Sequence, residues 1–273
     1  MENILKNLLL KVLLIPFLFF TVSHAFEIDK FDPEASLTEN FSTNCLQMTQ
    51  SQQMLKAYVM IGLNSNFQDP QGNLKRAIVA YDTRAHQMRN YFHTLLGEKN
   101  KEAKAAFDEA MRLWLESKTL LEQTPTKENA LKIRKNFQQM ITKLLEGTQP
   151  LATPDLELIS LTGKLCRKPV EITIDYLMRI WEVPLPNYDQ RIGSIIKNYY
   201  TNLSILAANE LNNEESLALL ERAKRQFLFF KMMYNSKSKF IPNLLSKKAD
   251  DNFKIIRKIK MIYKKEAEKG TAK

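Results

Sequence analysis

Glycine is scarce in this chain, 7 residues in 273, and proline contributes only 10. With Leu, Lys, Ala, Glu, Gln and Met frequent and no sustained strand-like alternation, that scarcity favours helix over sheet throughout. Cysteine is nearly absent. Cys45 and Cys166 stand alone, neither in a CxxC pair, which argues against a thiolate metal site. Of three histidines, His24 lies in the first 25 residues, and His86 and His93 stand seven apart on one helix face with no His/Glu pair at metal spacing. They read as surface or core-edge side chains. No catalytic set, metal site or cofactor is expected, and the chain does not read as an enzyme.

Long apolar runs are also missing, with one exception. Val12 to Val22 is about 11 residues, where a membrane span needs roughly 20. It follows Lys6 and Lys11 and precedes Ser23-His24-Ala25, the pattern of a cleaved secretory signal peptide over 1–25. The mature chain is then expected to begin near Phe26 and to be periplasmic. Acidic charge is short only at the C-terminal end. From Lys231 to Lys273 thirteen basic side chains face four acidic ones, net +9, while residues 26–230 sum to zero. An exported basic segment points to anionic phospholipid, peptidoglycan or an acidic partner rather than nucleic acid.

What the chain does have is helical periodicity. Leu74, Ile78, Tyr81, Ala85, Met88, Phe92 and Leu95 trace the narrow apolar seam of a bundle helix. The same rule holds at Phe107, Ala110, Trp114, Ser117 and Leu121, and again at Ala130, Ile133, Phe137, Met140 and Leu144. With Met54, Ala57, Tyr58 and Ile61 before them, four helices are predicted, joined by short turns at "QDPQGN", "GEKN" and "TPTKEN". After "GTQPLATPD" the pattern restarts. A shift of 118 residues lays Phe41 on Ile159, Tyr58 on Tyr176, Met60 on Met178 and Tyr81 on Tyr199; a shift of 113 lays "AMRLWLESK" on "AKRQFLFFK". This reads as an internal duplication. The expected fold is all-α, two tandem antiparallel four-helix bundles: an N-terminal arm at 26–43, a first bundle at 44–148, a linker at 149–155 and a second, divergent bundle at 156–273.

"QMTQSQQMLKAYVMIGL" followed by "LKRAIVAYDTRAHQMRNYF" resembles the NarX/PilJ-like N-terminal sensor domain of nitrate/nitrite sensor kinases and type IV pilus chemotaxis transducers. Ser51, Gln52, Met54, Lys56, Ala57 and Tyr58 carry the likeness, with Gly163 and Tyr176 its trace in the second half. The resemblance implies a helical sensor-type protein. In the nitrate sensors the anion is held by an Arg preceding the Met; here Met48 and Cys166 occupy that position, and the later Arg becomes Gln53 and Glu171. The expected role is binding a small anion or organic ligand, or a membrane receptor or transducer, without the chain's own membrane span or signalling output. A structural adaptor that docks through the basic C-terminal helix is the alternative.

Gln47, Gln50, Ser51, Gln52 and Gln53 form a neutral polar run that is either a ligand pocket or a solvated helix entrance. Cys45 and Cys166 lie on equivalent helices, and if the halves pack as the two modules of a dimer would, a disulfide between them is geometrically in reach. Pro169 should kink its helix or start it. Trp114 reads as core and Trp181 as a bundle end. Asp250 and Asp251 read as the start of a last helix whose stripe Ile255, Ile259, Ile262 docks inward, leaving Lys254, Arg257, Lys258, Lys264 and Lys265 as a basic surface.

Overall fold

The computed structural model describes residues 31–236 and 242–271, so the leader expected at 1–25 lies outside the described residues. Within them the protein is all-α: eight helices and no strand. They are α1 (Leu37–Gly62), α2 (Pro70–Leu96), α3 (Lys101–Leu121), α4 (Lys127–Thr148), α5 (Pro154–Ile180), α6 (Tyr188–Ala207), α7 (Glu214–Ser236) and α8 (Pro242–Thr271).

Local chemistry sets many of the boundaries. Ser36 accepts from the Glu39 amide and opens α1, Asp69 accepts from the Gly72 amide before Pro70 opens α2, and Thr126 accepts from the Asn129 amide to open α4. Asn213 and Ser216 cap α7 reciprocally, each side chain accepting from the other's backbone amide. Two starts differ from expectation. The first helix begins at Leu37, inside the stretch assigned to an arm, because Ser36 supplies the cap. The last begins at Pro242, so Asp250 and Asp251 stand in its interior instead of its first turn. Pro169 neither begins nor breaks a helix. α5 starts at Pro154 behind the Thr153 cap and runs through Pro169. The missing amide frees only the Leu165 carbonyl, and packing on both sides of α5 offsets a cost of about 3 kcal/mol.

Packing follows the seams. α1 touches α2, α4 and α5 and meets α8 at its edge; α2 packs on α3 and α3 on α4; α5 touches α6 and α8, α6 packs on α7 and α7 on α8. The predicted seam residues of α3 and α4 are all buried, whereas in α2 the seam closes on Leu96, with Leu95 exposed, because a helix of 3.6 residues per turn drifts from the 4-3 rhythm and takes a second four-residue step after Phe92. One apolar core joins α1–α4 to Val170, Ile174, Leu177 and Met178 of α5. A second joins α6–α8 to Leu158, Leu165, Cys166 and Ile172 of the same helix. α5 therefore serves both cores.

Sequence-equivalent aromatics also occupy equivalent places. Tyr81 on α2 packs against Trp114 on α3 at 4.2 Å between ring centroids; Tyr199 on α6 stacks on Phe227 on α7 at 3.5 Å. Both tyrosine hydroxyls then reach the next helix, Tyr81 to the Met140 sulfur and Tyr199 to Asn252 Oδ1.

Candidate functional site: the polar run of the first helix and its seam with the fifth

From Asn40 to Met60 every residue of α1 is buried. A helix with neighbours on all sides has no solvent face, so its polar side chains are enclosed with the rest. Gln47, Gln50, Ser51, Gln52 and Gln53 are each less than 5% exposed. The polar run is thus not a solvated entrance, and its residues form no open pocket. Gln50 Oε1 accepts from Arg84 Nη2 at 2.7 Å, and Ser51 Oγ donates to the Met48 carbonyl at 2.8 Å. Gln47 lines a void of about 20 Å³ with Asn44, Tyr81, Trp114 and Met140, room for one water-sized group. The Gln47 Oε1 and both amide atoms of Asn44 have no protein partner there.

α1 and α5 run parallel along a shared seam. A Cβ added at Gly163 would lie 3.0 Å from Cys45 Cβ, Arg167 Nη1 lies 3.5 Å from Met48 Sδ, and the Trp181 ring covers Gly62 so closely that a Cβ there would sit 2.3 Å from it. These three contacts join residues 118, 119 and 119 apart. That is, to within one residue, the shift that lays Tyr58 on Tyr176 and Tyr81 on Tyr199. Cys45 and Cys166 are both buried in this region as free thiols. Burial pushes the Cys45 thiol up and the Cys166 thiol up to about 12, so neither is a reactive thiolate at neutral pH.

Charged side chains tie the seam's flanks. On one side Asp175 of α5, 1% exposed, accepts from Arg134 of α4 at 2.9 Å through Oδ1 and from Arg191 of α6 at 2.5 Å through Oδ2. On the other, Lys56 of α1 pairs with Asp250 of α8 at 2.6 Å, Lys260 donates to the Ser42 carbonyl, and Lys264 pairs with Glu39. Neither ion pair was foreseen from pattern, although Lys56 was noted for another reason, because the partners are distant in sequence; Lys56 and Asp250 are 194 residues apart. Glu171 is held below the usual carboxylate range: burial opposes its charge, but Lys168 and Arg167 outweigh that.

The other residues singled out by pattern divide between core and surface. Trp114 is core and donates to Asp82 at 2.8 Å, while Trp181 is half-buried at the end of α5. His86 is exposed, and His93 rests 3.1 Å from Asp108. No group of three His, Cys, Asp or Glu side chains suited to a metal exists among the described residues. On α8, Lys254, Lys258 and Lys265 are exposed, whereas Arg257 and Lys264 are half-buried, and burial lowers the Arg257 pKa. Ile255 and Ile259 are buried and Ile262 half-buried, with Ile256, Tyr263 and Ala267 widening the stripe. A groove of about 590 Å³ opens between α2 and the α3–α4 turn, floored by Ile61, Leu74 and Ile78 and rimmed by Lys75, Glu122 and Gln123. No described helix is long and apolar enough to cross a membrane. No family model, curated protein or solved structure matches the chain.

Proposed function

We propose that this chain is a single-chain pseudo-dimer: two tandem antiparallel four-helix bundles, α1–α4 and α5–α8, related by duplication and joined along α1 and α5. In this reading it is an exported, sensor-type helical protein that acts by contact with a small ligand or a receptor partner and performs no chemistry of its own. The carrying observation is the seam. Contacts at the repeat offset are what a two-fold axis parallel to α1 and α5 produces, since each residue then meets its own equivalent. The NarX/PilJ-like resemblance of the α1 sequence is consistent with such a pairing of modules.

The enclosed amide run is then interior structure, with Gln47 and Gln50 turned toward α2, and a small ligand belongs in the groove floored by Ile61, Leu74 and Ile78. A thermal-shift panel of small anions, amino acids and organic acids tests this. A true ligand at a hundredfold excess over its Kd stabilises by about 2.7 kcal/mol. Val79→Arg, at an exposed position on the groove, should abolish that gain without unfolding the protein. Silence across the panel, with a membrane protein retained by the immobilised chain, favours the adaptor reading. Sedimentation at the mass of two chains would show that the seam does not take the place of a dimer interface.

A further inference from the structure

The outer face of α7 and α8 carries cations that the fold does not use. Lys247, Lys254, Lys258 and Lys265 are exposed at spacings that keep them on one side of α8, and none of them pairs with a carboxylate among the described residues. Their span of 18 residues is about 27 Å of helix. α7 lies alongside and adds exposed Arg222 and Arg225. Acids on this pair of helices are mostly spent: Asp250 on Lys56, Glu221 on Lys224, Glu266 on Lys269. Asp251, four residues from Lys247, and Glu268, three from Lys265, are half-buried beside this face, and Glu214 and Glu215 sit in the first turn of α7.

Apolar side chains are interleaved with this charge. Met261, 55% exposed, stands between Lys258 and Lys265, and Leu228 and Met232 on α7 are 45% and 60% exposed beside Arg225. Flexible apolar tips among lysines suit the boundary between headgroups and acyl chains, where the ammonium stays with phosphate while its stem and the thioether reach inward. Lysine, a compact charge without Arg's bidentate fork, suits a diffuse layer of phosphates better than fixed carboxylates. We infer that the α7–α8 face is a docking surface for an anionic phospholipid bilayer. This goes beyond the pseudo-dimer reading and does not depend on it, since the face belongs to the second half alone.

Co-sedimentation of the full chain with vesicles tests the inference. Binding should require anionic lipid, be strong at low salt and weaken sharply above about 0.15 M, where the Debye length is near 8 Å. Each lysine near such a surface contributes about fivefold in partitioning, so Lys247→Gln, Lys254→Gln, Lys258→Gln and Lys265→Gln together should lower it several-hundred-fold. The same charge removed from exposed Lys75, Lys99, Lys101 and Lys135 should cost far less. Met261→Trp should show a blue-shifted emission on adding anionic vesicles. Equal loss in both quadruple variants would reduce the effect to net charge and overturn the proposal. So would binding to neutral vesicles, or no vesicle binding. Capture on immobilised polyglutamate without vesicle binding would assign the face to an acidic protein instead.

Discussion

α1 and α5 each pack against several neighbouring helices and are built from different chemistry. At the shift of 118, Gln50, Ser51, Gln52 and Gln53 of α1 face Lys168, Pro169, Val170 and Glu171 of α5. The first helix encloses neutral amides; the second encloses apolar groups and charges. The ties on the flanks are opposite in sign as well. α1 sends out the cation Lys56 to α8, and α5 sends out the anion Asp175 to α4 and α6. Two identical modules could not divide the charges in this way. In the proposed pseudo-dimer, joining the modules in one chain would let each side specialise, and the pairing of unlike partners would fix which half is which.

Breaking the stronger tie should have the largest effect. Asp175→Ala leaves Arg134 and Arg191 facing each other in a water-poor setting, and removing one partner of a buried pair costs about 3–5 kcal/mol. Urea unfolding should show that loss. Lys56→Met should cost less, because the pair it breaks is single and Asp250 keeps some access to water. Equal losses would mean the two flanks are equivalent and the asymmetry has no energetic weight.

The amide run offers the second break. Gln52→Ala and Gln53→Ala alter side chains only 4% exposed, so each should lower stability by about 1–3 kcal/mol. Had the run been solvated, the change would stay within about 0.5 kcal/mol. Gln47→Met removes an acceptor that has no protein partner but also a hydrogen bond to Tyr81, so it should cost less than Gln52→Ala, about 1 kcal/mol or under.

The all-helical fold was legible because α2, α3, α4, α6, α7 and α8 each bury one stripe, and one stripe leaves a 3-4 pattern in the sequence. α1 lost that signal by being surrounded: polar and apolar residues are buried alike, and a polar run then looks like a solvent face. The charged ties were invisible for another reason. Asp250 read as a helix start because acids favour first turns, and nothing local shows that Lys56 awaits it. Pro169 misled because a local penalty of a few kcal/mol is overridden by packing on two sides.

Acid titration distinguishes the halves more gently. Glu171 has its folded pKa below the unfolded carboxylate value of about 4.3, so its contribution is complete above that pH and is lost as pH falls through the folded value. Its counterpart Gln53 does not titrate. Glu171→Gln should therefore flatten the acid limb of a Tm-against-pH curve below about pH 4 and leave the neutral limb parallel to the wild type. An unchanged acid limb would show that other carboxylates govern it.

The cysteines give the finest test, because it moves no stability at all. Cys45 faces Gly163, and Cys166 follows one turn later on α5, so both thiols border the seam between the halves. Burial raises both pKa values, Cys166 to about 12, which leaves little thiolate at pH 8 and no path for a reagent. Native protein should resist iodoacetamide. Unfolded in urea without reductant, it should take up two adducts, as two free thiols must. Zero adducts until reductant is added, with a two-hydrogen gain in mass on reduction, would mean that α1 and α5 are covalently joined. The loop so closed is roughly 120 residues and contributes about 5 kcal/mol in the chain-entropy model, so the seam would be locked chemically as well as packed.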